Sequence, residues 1–164
     1  TLDKVTKTDF TRLLDILKSA GYKGDNLLGA VIKNTDDYIP QEVLEKMRAV
    51  QKNFKEEDVL FAIESNFDMP YGKLLWLEIG NDKNGFKHML NHIPQLNDKG
   101  IPAEEVIPVL RDLLLNHKPL TYKTKDLSNG HIRYDVYYTY NSHNFVVGIG
   151  DNGYIVNFLP RNPK

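Results

Sequence analysis

The chain contains no cysteine, a single tryptophan and almost no net charge, −1 over 164 residues. Without cysteine there is no disulfide, no thiolate metal site and no cysteine nucleophile, and the redox compartment stays open. The small net charge argues against a broad, non-specific nucleic-acid binder. No apolar run approaches the roughly 20 residues that span a bilayer. Walker loop, dinucleotide fingerprint and Gly-x-Ser-x-Gly elbow are all missing. The opening stretch Thr1–Lys7 lacks the apolar core of a signal peptide. Because the chain opens on Thr rather than Met, it is expected to be a processed piece or an excised part of something larger.

What is present is ordinary in bulk and uneven in detail. Hydrophobic residues make up 41% and charged residues 26%, which suits a water-soluble globular domain. The charge is split: residues 1–79 carry 11 Lys/Arg against 14 Asp/Glu, and residues 80–164 carry 10 against 8. The modest basic excess therefore lies in the second half, where it can help a cleft hold a polyanion.

The hydrophobic period also changes along the chain. Phe10, Leu13, Leu14, Leu17 and Ala20 recur at helical spacing between Thr8 and Gly21, and a short helix is predicted over 27–33. Pro40 suits a first helical position before the stripe Val43, Leu44, Met47 and Val50. Val59, Leu60 and Ile63 predict a further helix, opened by the acidic Glu56–Asp58. Phe67–Gly72 combines Pro and Gly and predicts a boundary. Residues 73–79 fit helix or strand. Phe86, Met89, Leu90 and Ile93 form one face of a predicted helix stopped by Pro94, and 103–116 predicts another, with a kink or late start at Pro108.

After His117 the period becomes two. Strands are predicted at 120–125, 131–140, 143–149 and 154–159, separated by Asn/Gly-rich turns, with Pro160 closing the last. The expected class is α+β: an N-terminal helical region, 1–70, which could serve as an entry domain, followed by helices packed on a four-stranded antiparallel meander, 71–164.

The candidate chemistry centres on His88 and His92. At roughly 100° per residue they lie about 40° apart, off the apolar stripe. A neutral imidazole can take a proton from a ribose 2′-hydroxyl, and an imidazolium can give one to a leaving oxygen. The same spacing could grip zinc, but Met89 stands where zinc peptidases carry Glu, and His117, His131 and His143 lack motif support as a third ligand. Ordinary surface histidines are the third reading. On the strand 131–140, alternation places Arg133, Asp135, Tyr137 and Thr139 on one face and Ile132, Tyr134, Val136 and Tyr138 on the other. Asn157 is the polar side chain in an otherwise apolar last strand, so it either completes a core hydrogen bond or faces a phosphate. Arg133 and Lys118 are candidate phosphate clamps, and the tyrosines, Tyr134 among them, could stack bases.

Gly85-Phe-Lys-His88 with His92, a longer helix, then four strands ending at Gly153-Tyr-Ile-Val-Asn-Phe-Leu-Pro160 resembles the barnase–EndoU–colicin–RelE superfamily of small nucleases. Within it, the chain looks like the C-terminal tRNase toxin domains of contact-dependent growth inhibition proteins and other polymorphic toxins. The resemblance covers about 80–164. It implies metal-independent endoribonuclease activity on tRNA by general acid–base catalysis, with no cofactor. His88, His92, Arg133 and Asn157 are the implied catalytic residues, Asn157 standing where the family often has Thr or Ser. Lys87, Lys118, Tyr134 and Tyr154 are the implied substrate contacts. It further implies secretion within a larger protein, action in the cytoplasm of a target bacterium, a cognate immunity protein and, as a further partner, a host activator. The competing readings are a protein-binding module of a phage or bacterial surface protein, a zinc hydrolase, and the immunity partner itself.

Overall fold

Pro40 sets the backbone for helix α1 (Gln41–Ala49), by capping it from outside in an extended conformation. Its stripe, Val43, Leu44 and Met47, is buried, while Val50 is exposed just past the helix end. The chain is represented by a computed structural model that describes residues 38–102 and 105–163; the helices expected at 8–20 and 27–33 lie outside these.

The helix expected after Glu56–Asp58 is instead a strand, β1 (Val59–Glu64), with the acidic triplet forming one 3₁₀ turn before it. Five consecutive residues of β1 are buried. A run covered on both faces has no hydrophobic period, so spacing alone cannot separate it from a buried helix. The ambiguous 73–79 segment supplies β2 (Leu74–Glu78), paired antiparallel with β1. The boundary expected at Phe67–Gly72 falls in the link between these paired strands. Residues 38–70 thus share one hydrophobic core with the rest, running from Tyr38 to Phe158.

The histidine segment is not one helix. It runs as α2 (Phe86–Met89), a 3₁₀ turn over Leu90–His92, and α3 (Ile93–Asp98). Pro94 opens α3 rather than stopping α2, because a residue in the first turn needs no amide hydrogen. The apolar stripe still holds: Phe86, Met89, Leu90 and Ile93 are all buried. The long helix, α4 (Val106–Asn116), starts late and carries Pro108 in its first turn, where the missing N–H is tolerated.

The four-stranded meander is present: β3 (Thr121–Asp126), β4 (Ile132–Tyr140), β5 (His143–Gly150) and β6 (Ile155–Pro160), antiparallel in that order. Pro160 is the last residue of β6, opposite Phe145, rather than a terminator outside it. Val136, Tyr138, Phe145, Val147, Ile149, Ile155 and Phe158 turn into the main core. The two sheets meet at Trp76, whose backbone N–H donates to the Gly153 carbonyl at 3.2 Å and whose ring meets Tyr154 edge-on. No helix among the described residues is long and apolar enough to cross a membrane.

Candidate active site

The other face of the meander carries a row of polar side chains. Register places Asp135 opposite Gly148 and Gly148 opposite Asn157, with Arg133 one step along the same face of β4. Gly148 has no side chain to fill the middle of this row. The Arg133 Cδ and Asn157 Cβ lie 3.7 and 3.6 Å from where its Cβ would stand. A floor of backbone between three polar side chains results, and a glycine inside a strand pattern is the sequence signal for such close approach.

One wall of the cleft is built by Gly85. Its φ is +85°, and a Cβ there would stand 2.9 Å from both the Glu78 carbonyl and the Tyr154 hydroxyl, so only glycine fits. Its N–H donates to the Val156 carbonyl at 3.0 Å, at the irregularity where β6 shifts register against β5. The preceding loop is held by Asn81, whose Oδ1 accepts from the N–H groups of Lys83 and Asn84. This anchoring fixes where α2 begins and hence where His88 stands.

His88, Asn84 and Lys83 on that wall face Arg133, Asp135, Asn157 and Arg161 across a cleft of about 200 Å³. His88 Nδ1 lies 2.7 Å from the Asp82 carbonyl oxygen. A carbonyl only accepts, so Nδ1 carries the proton, and in the neutral ring Nε2 keeps its lone pair. Arg133 donates from Nε and Nη2 to the two Asp135 carboxylate oxygens at 3.0 and 3.2 Å, a fork-to-fork pair that fixes the guanidinium plane. Asn157 Oδ1 accepts the Phe158 N–H at 3.0 Å, which leaves its Nδ2 as the group it can offer a ligand. Three cations, Lys83, Arg133 and Arg161, face one carboxylate, so the cleft favours an anion.

His92 stands beside this cleft rather than in its lining. Its ring meets that of His88 edge-on with centroids 5.6 Å apart, and its Nδ1 is 3.1 Å from Gln95 Oε1. Burial holds its pKa below the ordinary value, the charges of His88 and Arg161 push the same way, and the Gln95 hydrogen bond opposes them. His92 is therefore a neutral neighbour of His88 near pH 7.

The structure brings together His88, Arg133 and Asn157 and separates the other expected contacts. Lys87 is exposed, its Nζ lies 3.6 Å from Asp82, and it is outside the cleft lining. Lys118 is on the link between α4 and β3, outside the cleft lining. Tyr134 points to the opposite face, between Tyr71 and Tyr122, as strand alternation requires. Tyr154 packs on Trp76, and burial, helped by the charges of Glu78 and Asp58, pushes its hydroxyl up to about 12. Neither ring can stack a base in the cleft. Lys83 and Arg161 carry no motif, which is why the sequence did not single them out. Among the described residues no three His, Asp or Glu side chains converge to hold a metal ion.

A larger groove, about 490 Å³, lies beside α1, but Glu42 and Glu64 there balance Lys46 and Arg111, and no imidazole lines it. No protein-family model matches the chain, and no curated protein matches it.

Proposed function

We propose that the chain is a metal-independent endoribonuclease whose reacting phosphodiester sits in the His88 cleft. The observation that carries this reading is a single imidazole held by the Asp82 carbonyl, so that Nε2 is the basic nitrogen, on the wall of a cleft containing three cations. The basic nitrogen takes the proton of a ribose 2′-hydroxyl, and that oxygen attacks the adjacent phosphorus. Arg133, Lys83 and Arg161 stabilise the charge that builds on the non-bridging oxygens, and Asn157 Nδ2 donates to one of them. As the P–O5′ bond breaks, the imidazolium returns its proton to the leaving oxygen. The products are a 2′,3′-cyclic phosphate and a 5′-hydroxyl, and His88 ends neutral. Within this reading tRNA is the substrate class, the protein works as a toxin in a target bacterium, and an immunity protein would act by covering the cleft.

The test is incubation of the protein with total bacterial tRNA, with and without EDTA, followed by end-group analysis. Cleavage that survives EDTA and leaves cyclic phosphate ends is expected. His88→Ala should abolish it, with the circular dichroism spectrum and melting temperature unchanged. Full activity in that variant would sink the assignment.

A protein-binding module is favoured by a different observation. Every residue of β3 is exposed, it forms the sheet edge, and Leu120, Tyr122 and Leu127 are exposed large apolar residues on or beside it. An open edge of this kind can pair with a strand of another protein. Absence of any cleavage, with loss of a partner on Tyr122→Lys, would move the assignment there.

A further inference from the structure

Arg161 lines two cavities. One is the His88 cleft; the other, about 340 Å³, opens at the turn between β4 and β5. Its walls are Lys99 at the end of α3, Ser142 of the turn, His143 and Asn144 at the start of β5, Pro160 at the end of β6, and Arg161 and Asn162 just after it. It has no carboxylate in its lining, unlike the groove beside α1. Its shape is set by hydrogen bonds across the sheet end. The Arg161 N–H donates to the Asn144 carbonyl at 3.1 Å, Asn144 Nδ2 donates to Asn162 Oδ1 at 3.0 Å, and Thr139 Oγ1 donates to Asn144 Oδ1 at 2.7 Å. The turn itself is tight, with Asn141 and Ser142 both at positive φ.

The two cavities are separated along β5. From Gly148, the floor of the cleft, to Asn144, in the second cavity, is four residues, about 13 Å of strand. One phosphate cannot occupy both. We propose that the second cavity is a phosphate subsite for the nucleotides flanking the scissile bond, so that the preferred substrate is a single-stranded RNA segment lying across Arg161 and a dinucleotide is a poorer one. The inference rests on the nuclease reading and adds the length and form of the substrate. A flexible strand can turn successive phosphates toward Arg133, Arg161 and Lys99 in order. Neutralising them releases counterions, and affinity then falls with salt.

The experiment uses two probes. An all-2′-deoxy octanucleotide, which cannot be cut, reads binding by fluorescence anisotropy over a salt series. An octaribonucleotide and a dinucleoside monophosphate of the same central step read kcat/KM. Lys99→Glu is compared with Lys73→Glu, an equal charge change at a lysine that lines neither cavity. Expected for Lys99→Glu are an affinity at least tenfold weaker, a log–log salt slope shallower by about 0.7 for a lost phosphate contact, and dinucleotide cleavage within twofold of the wild type. Lys73→Glu is expected to stay within twofold throughout. The subsite is overturned if the wild-type chain does not bind the octamer, if Lys99→Glu weakens binding no more than Lys73→Glu, or if the dinucleotide is cut as well as the octamer. Binding that depends on Lys99 in a protein that cuts neither substrate upholds the subsite and overturns the nuclease reading. Cleavage without Lys99 dependence does the reverse.

Discussion

The two faces of the meander are made by the same strands and meet opposite fates. Inward, Val136, Tyr138, Phe145, Val147 and Phe158 join the continuous core and hold the sheet to the helices. Outward, the same strands mix polar and apolar groups. Arg133, Asp135, Gly148 and Asn157 form the floor and side of the cationic cleft, and Tyr137, Val146 and Leu159 form a small separate apolar cluster whose Val146 and Leu159 also line that cleft. Alternation therefore does two jobs. It anchors the scaffold on one side, and on the other it places polar groups at fixed spacing on rigid strands, which is where precise sites are best built.

The widest separation between the faces should come from Arg133. Arg133→Ala removes a positioned cation from the proposed reaction and is expected to lower kcat/KM on RNA by 10²–10³-fold, in the range of losing one transition-state donor. Its melting temperature should fall by only a few degrees, because the pair it makes with Asp135 is partly solvated. A variant that unfolds would show the outer face to be structural and break the comparison.

The converse change lies on the inner face. Phe158 is fully buried, its ring 5.6 Å from that of Phe145. Phe158→Ala should cost about 3–5 kcal/mol, read by urea unfolding, and any fraction that stays folded should cleave with unchanged kcat. The intermediate case is Val146→Ala in the outward cluster. Removing two methyl-sized groups from a buried site costs about 1–2 kcal/mol, and the satellite cluster should yield the lower end. A loss as large as that of Phe158→Ala would mean the two clusters act as one core.

The sequence carried much of this arrangement. The period-two pattern after His117, with Asn/Gly turns, was enough for the meander and for which side chains share a face with Arg133. The helical stripe Phe86, Met89, Leu90 and Ile93 was enough to turn His88 away from the core. Three things were not legible, each for a physical reason. β1 is buried on both faces, so it has no period to read. Pro94 serves equally as a stop and as a first-turn residue, and here it opens a helix that buries Ile93 and Leu96. Lys83 and Arg161 reach the cleft through chain direction, one from a loop held by Asn81 and the other from the residue after a strand, and neither position has a pattern in one dimension.

The smallest expected effect separates His88 from His92. Their spacing made them look equivalent, but one lines the cleft and the other is partly buried behind it. His92 is held below its ordinary value of 6.5 by burial first, with His88 and Arg161 adding repulsion and Gln95 opposing. The folded state therefore binds a proton at His92 less readily than the unfolded chain does. Well above pH 6.5 both states are neutral there and the residue makes no pH-dependent difference. As pH falls from there through the lowered folded value, the unfolded state takes up the proton first and stability is lost. Melting temperature measured from pH 7.5 down to 5 should fall less steeply in His92→Gln than in the wild type, while the two agree in slope above pH 7. A His92→Gln variant as steep as the wild type would assign the acid sensitivity to other groups and make the two histidines alike again.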